Sequence, residues 1–233
     1  IVISFSGLVI RYIHSADNWQ INLYRSLAFG LAISIVLLFR YRKIAPRQLK
    51  GIGLQGVWAA VLIAFASISF LQAITNTTVA ATTFTLSSIP FLTAAMAWLF
   101  LGESIGKSTI FTMLAAIFGI SLMFIQGLGS GSFYGNFMAF LCAIGFSGYA
   151  TIIRKNRDSE MLPTLILSNL IIILLALILR WDNISISWND LILCFVLGGL
   201  LSAIVNTLFI IASKHLFAAE LTLFMLLEFT LGP

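Results

Sequence analysis

Long apolar runs broken by short polar clusters set the plan of this chain. Each run carries little or no charge and does not alternate polar with apolar residues. Runs of about 20 such residues have the length of a helix that crosses a bilayer. Nine helical spans are predicted: 1–13, 19–39, 53–74, 78–101, 108–128, 134–153, 161–179, 190–213, and a last one from about Leu216. The breaks hold turn-forming or charged residues, as in His14–Asn18, Ala45–Gly51, Gly102–Lys107 and Trp181–Asn189. Strands of an outer-membrane barrel are about ten residues long and alternate, so a barrel is excluded. The chain opens on Ile1 and closes on Leu231-Gly232-Pro233 within apolar sequence. Both ends therefore read as cut.

Composition agrees with an all-α integral membrane protein. Of 233 residues, 60% are hydrophobic and 9% charged, and mean hydropathy is +1.06. A soluble domain is about 45–50% apolar and about 25% charged. The thirteen Lys and Arg residues are unevenly placed. Alternate loops carry ten of them, among them Arg40, Arg42, Lys43, Arg154, Lys155, Arg157 and Lys214. The opposite loops carry only Arg11 and Arg180, and Arg25 lies inside the second span. The positive-inside rule puts the ten in the cytoplasm and the N-terminus with them, in a bacterial cytoplasmic membrane. Trp19, Trp181 and Trp188 then fall at the outer boundary, Trp58 and Trp98 near the inner one, as an aromatic belt. The net charge of +5 is thus a topology signal. No nucleic-acid partner is expected, because no basic loop interleaves aromatics on one face. Cys142 and Cys194 sit in apolar runs and read as small buried hydrophobes.

The spans repeat. Phe5-Ser6-Gly7 recurs as Phe146-Ser147-Gly148, an offset of 141, and Ala80-Ala81 recurs as Ala218-Ala219, an offset of 138. The unit is five helices. Five is odd, so the second copy enters the membrane the opposite way, as in inverted-repeat secondary transporters. The first repeat covers 1–128 and the second 134–233.

Several stretches then resemble the EamA-type members of the drug/metabolite transporter superfamily. One is Gly7-x3-Arg11 followed by Trp19-x4-Tyr24-Arg25. The most specific runs from Val79-Ala80-Ala81 through Ile89-Pro90-Phe91 to Trp98-Leu99-Phe100-Leu101-Gly102-Glu103, with a weaker copy from Ala218-Ala219-Glu220 to Leu226-Leu227-Glu228. The resemblance implies ten helices in two inverted five-helix halves with a solute path between them, about nine of the ten being present here. Family members commonly follow the second-half glutamate with proline. This chain has Phe229, which leaves open whether the last span kinks as the fourth should at Pro90.

Charge within the hydrocarbon costs at least about 2.5–3.5 kcal/mol on insertion scales and marks function. Glu228 lies near the midplane and aligns with Pro90 under the 138 offset. It reads as a cavity carboxylate that binds an amino group or cycles a proton, or as a protonated group bonded to a neighbouring helix. Arg25 reads as a carboxylate clamp in the outer half of the cavity, or as a side chain snorkelling to the headgroups. Thr82, Thr85 and Ser88 drift round one face of the fourth span, and Asn169 and Asn206 lie mid-span. Each could be interhelical glue worth about 0.6 kcal/mol; together they suggest a wet interior. Glu103 is expected at the cytoplasmic interface, holding the loop against Lys107, with Gly102 as a left-handed helix cap. Gly198-Gly199 reads as a packing surface.

The expected function is alternating-access transport, inward or outward, of a small polar or amphipathic metabolite, driven by a proton, an ion or exchange. Gly127-Leu128-Gly129-Ser130-Gly131-Ser132 lacks the GK[ST] ending of a phosphate-binding loop, so ATP hydrolysis is not expected. Neither metal nor cofactor is expected. The alternatives are a membrane-embedded lipid-modifying enzyme or a non-transporting bundle. The first needs clustered carboxylates or a nucleophile beside a base, and the eight acidic residues make no DxxD-type cluster inside a span.

Overall fold

The computed structural model describes residues 5–41, 53–103 and 132–218, with positions 111, 118, 221 and 222. The fifth span, most of the ninth, Glu228, Phe229 and Lys107 lie outside the described residues. In chain order the helices are α1 (Phe5–Arg11), α2 (Asn18–Tyr41), α3 (Gly53–Asn76), α4 (Val79–Leu86) and α5 (Ile89–Leu101). After them come α6 (Phe133–Lys155), α7 (Pro163–Arg180), α8 (Trp188–Phe195), a π-helical segment (Val196–Ser202) and α9 (Ala203–Ala212). Among the described residues there is no strand, and six helical stretches are long and apolar enough to cross a membrane. The protein is an all-helical integral membrane bundle.

Helices in lipid are held by close packing rather than by transfer out of water, so small residues line their contacts. Ala59, Ala60, Ala64, Ala66 and Ala73 of α3 are buried, and α3 packs along α6. A Cβ on Gly145 would lie 3.1 Å from the Leu62 carbonyl oxygen, so the two backbones nearly touch there. α2 packs along α7 and against the π segment, and α3 also meets α7. The central cluster holds Phe29, Ile33, Tyr149, Ile153, Leu165 and Phe209. Large apolar side chains such as Phe39, Leu99 and Ile178 face outward, as lipid-facing residues do.

Two spans differ from the pattern read along the sequence. The fourth is two helices, α4 and α5, joined through Ser87 and Ser88. Pro90 is the second residue of α5 and has no N–H to continue the ladder. The eighth contains a π-helical stretch at Val196–Ser202, where Ser202 Oγ donates to the Leu197 carbonyl at 2.8 Å. Within this stretch Gly198 lies directly on the α2 backbone.

The span ends segregate as the basic-loop count requires. At one end Arg180 Nη2 meets Asp17 Oδ2 at 2.9 Å, Asn18 Nδ2 donates to Thr75 at 2.8 Å, and Thr77 Oγ1 donates to Asn136 Oδ1 at 2.8 Å. At the other, basic end, Arg154, Glu103, Lys214 and Glu160 come together. α2 begins with a capping box. Asp17 Oδ1 accepts from Trp19 N and Gln20 N, and Gln20 Oε1 accepts from Asp17 N at 2.8 Å. α5 ends on Gly102 at φ 70°, where Glu103 N donates back to Ala97 O, so the left-handed cap is present.

Candidate functional site

Arg25 stands seven residues into α2, about 10 Å below its start at roughly 1.5 Å per residue. Its side chain is 8% exposed, which disposes of snorkelling. Nη2 donates to Asn22 Oδ1 at 3.3 Å on its own helix and to the Ser67 carbonyl of α3 at 3.4 Å. The guanidinium also lies within electrostatic range of Cys142 on α6 and Cys194 on α8. Ser67, Cys142 and Cys194 all fall about 9–14 Å below the same end of their helices, so four helices converge on one depth. The Gly198 approach completes the enclosure, since a Cβ there would lie 2.0 Å from the Arg25 carbonyl oxygen.

The guanidinium is poorly partnered for its burial. Both hydrogen bonds are longer than the usual 2.9–3.0 Å, and among the described residues no carboxylate pairs with it. Buried charges are normally paired, because an unpaired one loses its hydration without return. Beside it on α2, Asn22 Nδ2 and Ser26 Oγ are buried and have no hydrogen-bond partner among the described residues. Arg25 and Asn22 thus present unused donors, with the Ser26 hydroxyl one turn below.

The other expected site residues are distributed differently. Thr82 and Thr85 of α4 and Ser88 of the junction to α5 are buried. Each hydroxyl bonds a carbonyl of its own helix: Thr82 to Thr78 at 3.1 Å, Thr85 to Ala81 at 2.9 Å, Ser88 to Thr85 at 2.7 Å. Asn169 donates to Leu165 O at 2.6 Å, and its Cβ lies 3.6 Å from where a Cβ on Gly30 of α2 would be. Asn206 donates to Ser202 O at 3.0 Å and is partly exposed. The structure therefore brings Arg25 to α3, α6 and α8, and Asn169 to α2. It shows no contact between Arg25 and the α4 hydroxyls.

Reading the sequence by residue type missed several participants. Asn22 precedes Arg25 by three residues and stands four before Ser26, and that helical spacing was the available signal. The segment Asn183–Ser185 is strapped to α2. Gln20 Nε2 donates to the Asn183 and Ser185 carbonyls, both at 3.0 Å, and the Tyr24 hydroxyl donates to Ile184 O at 2.7 Å. Asp190 of α8 accepts from Ser15 N at 3.0 Å and from the Ser15 hydroxyl. These contacts cover the non-basic end above Arg25. At the basic end Glu103 pairs with Arg154, at 3.5 Å; Lys107, its expected partner, is not among the described residues.

A model of the EamA-like transporter family matches residues 1–125, more than half of the 233. No curated protein matches the chain at a significant level.

Proposed function

The chain belongs to the EamA-like transporter family, and from that premise we propose that it carries a small polar or amphipathic solute bearing an anionic group, with Arg25 as the anion site. The observation that carries this reading is a buried guanidinium between four helices with long hydrogen bonds and no carboxylate partner among the described residues. A solute carboxylate would pair with it in the bidentate fork that guanidinium favours. It would also accept from Asn22 Nδ2. Thr82, Thr85, Ser88, Asn169, Asn206 and Glu228 form the rest of the proposed path. The hydroxyls take part through the lone pairs and rotations that back-bonding leaves them. Glu228 is the proposed second charge, for an amino group or a coupling proton.

Alternating access between inverted halves, 1–128 and 134–233, is the proposed mechanism. Its support is the pattern of packing. Under an inverted repeat the second span pairs with the seventh across the pseudo-axis, and α2 packs on α7. The same operation exchanges the contact of second with eighth span for that of seventh with third, and α2 against the π segment and α7 against α3 are both made. Gly30 and Asn169, which meet between α2 and α7, stand 139 residues apart, inside the 138–141 offset of the repeat. The proposed setting is a bacterial cytoplasmic membrane with the basic end inside.

The test is flux. Proteoliposomes holding the full chain are given a panel of radiolabelled small carboxylates, amines and neutral polar solutes, with and without an imposed pH gradient. Saturable uptake or counterflow above protein-free liposomes for at least one carboxylate is expected. Uptake confined to cations or neutral solutes would reject the anion site, and no flux for any solute would reject transport.

A further inference from the structure

The basic end of the bundle is closed by a ring of contacts centred on Arg154, the second-last residue of α6. Its side chain is 7% exposed. Nε faces Glu103 Oε1 at 3.5 Å, one Nη donates to the Ser213 carbonyl at 3.4 Å, and the guanidinium carbon lies 4.9 Å from the centre of the Phe217 ring. Glu103 follows α5 and Ser213 follows α9. Lys214 Nζ then meets Glu160 Oε2 at 3.3 Å, which brings in the approach to α7. One arginine therefore joins the ends of α5, α6 and α9. Its hydrogen bonds are about 0.5 Å longer than the usual value.

α5 carries Glu103 at that end. It is a rod of 13 residues, about 20 Å at roughly 1.5 Å per residue. Its upper end is the Ser87–Ser88 junction, where Ser88 N donates to Thr85 O and Pro90 offers no N–H. Its lower end carries Glu103 beyond the Gly102 cap. α5 packs along α6, Ile89 and Leu92 near its start share a cluster with Ala66 and Phe70 of α3, and Trp98, Leu99 and Phe100 near its far end point outward. A swing of about 10° about the upper junction moves the far end of such a rod by about 3.5 Å, enough to part Glu103 from Arg154. The α6 face thereby uncovered is polar: Ser147, Thr151 and Arg154, at spacings of four and three, are all buried, and Ser147 donates to the Ile89 carbonyl of α5 at 3.2 Å.

We propose that α5 is the gate of the basic end, hinged at Ser87–Pro90 and latched by Glu103 on Arg154, and that its release opens the Ser147–Thr151–Arg154 face to that side. The proposal rests on reading the chain as a transporter, but its test needs no solute. The full chain with Cys142→Ala, Cys194→Ala and Thr151→Cys is labelled with a membrane-impermeant maleimide in sealed vesicles of each orientation. Arg154→Gln in this background should speed labelling from the basic face about fivefold or more, with no change from the other face. Glu103→Gln should act in the same direction. The exchange Glu103→Arg with Arg154→Glu should restore slow labelling. Should Arg154→Gln fail to fold, Glu103→Gln and the exchange decide the matter. Unchanged labelling in the single variants, or an equal increase from both faces, overturns the gate. Face-specific labelling in a chain that carries no flux sustains the gate and counts against the transporter reading instead.

Discussion

Gly198 is where the packing around Arg25 can be tested most sharply. A Cβ added there would meet the Arg25 carbonyl oxygen at 2.0 Å, its carbonyl carbon at 2.8 Å and its Cα at 3.0 Å. A carbon and an oxygen rest about 3.3 Å apart or more, so Gly198→Ala forces the π segment and α2 apart by more than about 1 Å. All three obstacles are backbone, and no side-chain rotation relieves them. Overpacking in a close-packed core costs about 1–3 kcal/mol, and a backbone obstacle puts this variant at the upper end. At roughly 2–4 °C per kcal/mol for a chain of this size, Tm should fall by about 6–12 °C. The assay is heating of detergent-solubilised protein followed by size-exclusion chromatography. Gly199→Ala is the internal control, because its nearest atoms, at 3.5 Å and beyond, are in ordinary contact. Its Tm should stay within about 2 °C of the parent. If the two variants melt together, the close approach of α2 and the π segment is wrong, and with it the enclosure of Arg25.

Three further outcomes follow from the same geometry. Thr93 is fully buried with no partner for its hydroxyl among the described residues, so Thr93→Val should be neutral or stabilising by up to about 1 kcal/mol, read as an unchanged or raised Tm. The Thr85 hydroxyl bonds only Ala81 of its own helix among the described residues; Thr85→Val, which keeps the volume of this buried side chain, should cost under about 1 kcal/mol of stability, and a larger loss would mean that the hydroxyl bridges helices. Tyr24→Phe removes the hydrogen bond to Ile184 O and should speed amide exchange across residues 181–187 while leaving that at the basic end unchanged.

The spans were legible because their length is imposed by the bilayer, and a run such as Gly53–Asn76 has one reading. The grouping of span ends was legible from Lys and Arg for the same reason. Helix rotation was not, because in lipid an apolar stripe does not mark the buried face. Arg154 therefore looked like a topology residue, although its side chain turns inward to Glu103. Thr82, Thr85 and Ser88 suggested a wet face, yet their hydroxyls serve their own helix, an option open to any Ser or Thr in a helix. The π turn at Val196–Ser202 was hidden because no residue type or spacing in that stretch marks one. The pair Gly198-Gly199 signalled close packing without saying against what. Arg25 was legible as a residue worth testing, but the convergence of Ser67, Cys142 and Cys194 on its depth needed the assembled bundle.

The central claim is that Arg25 receives the anionic group of the solute. Counterflow in proteoliposomes tests it most directly, using a transported carboxylate and its carboxamide as a matched pair, in the parent and in Arg25→Gln. The parent should prefer the carboxylate by about tenfold or more, the discrimination that one charge-assisted contact of about 1.5–3 kcal/mol supplies. Arg25→Gln should lose that preference while Tm shows the chain still folded. A folded Arg25→Gln variant that keeps the full preference for carboxylate would contradict the account.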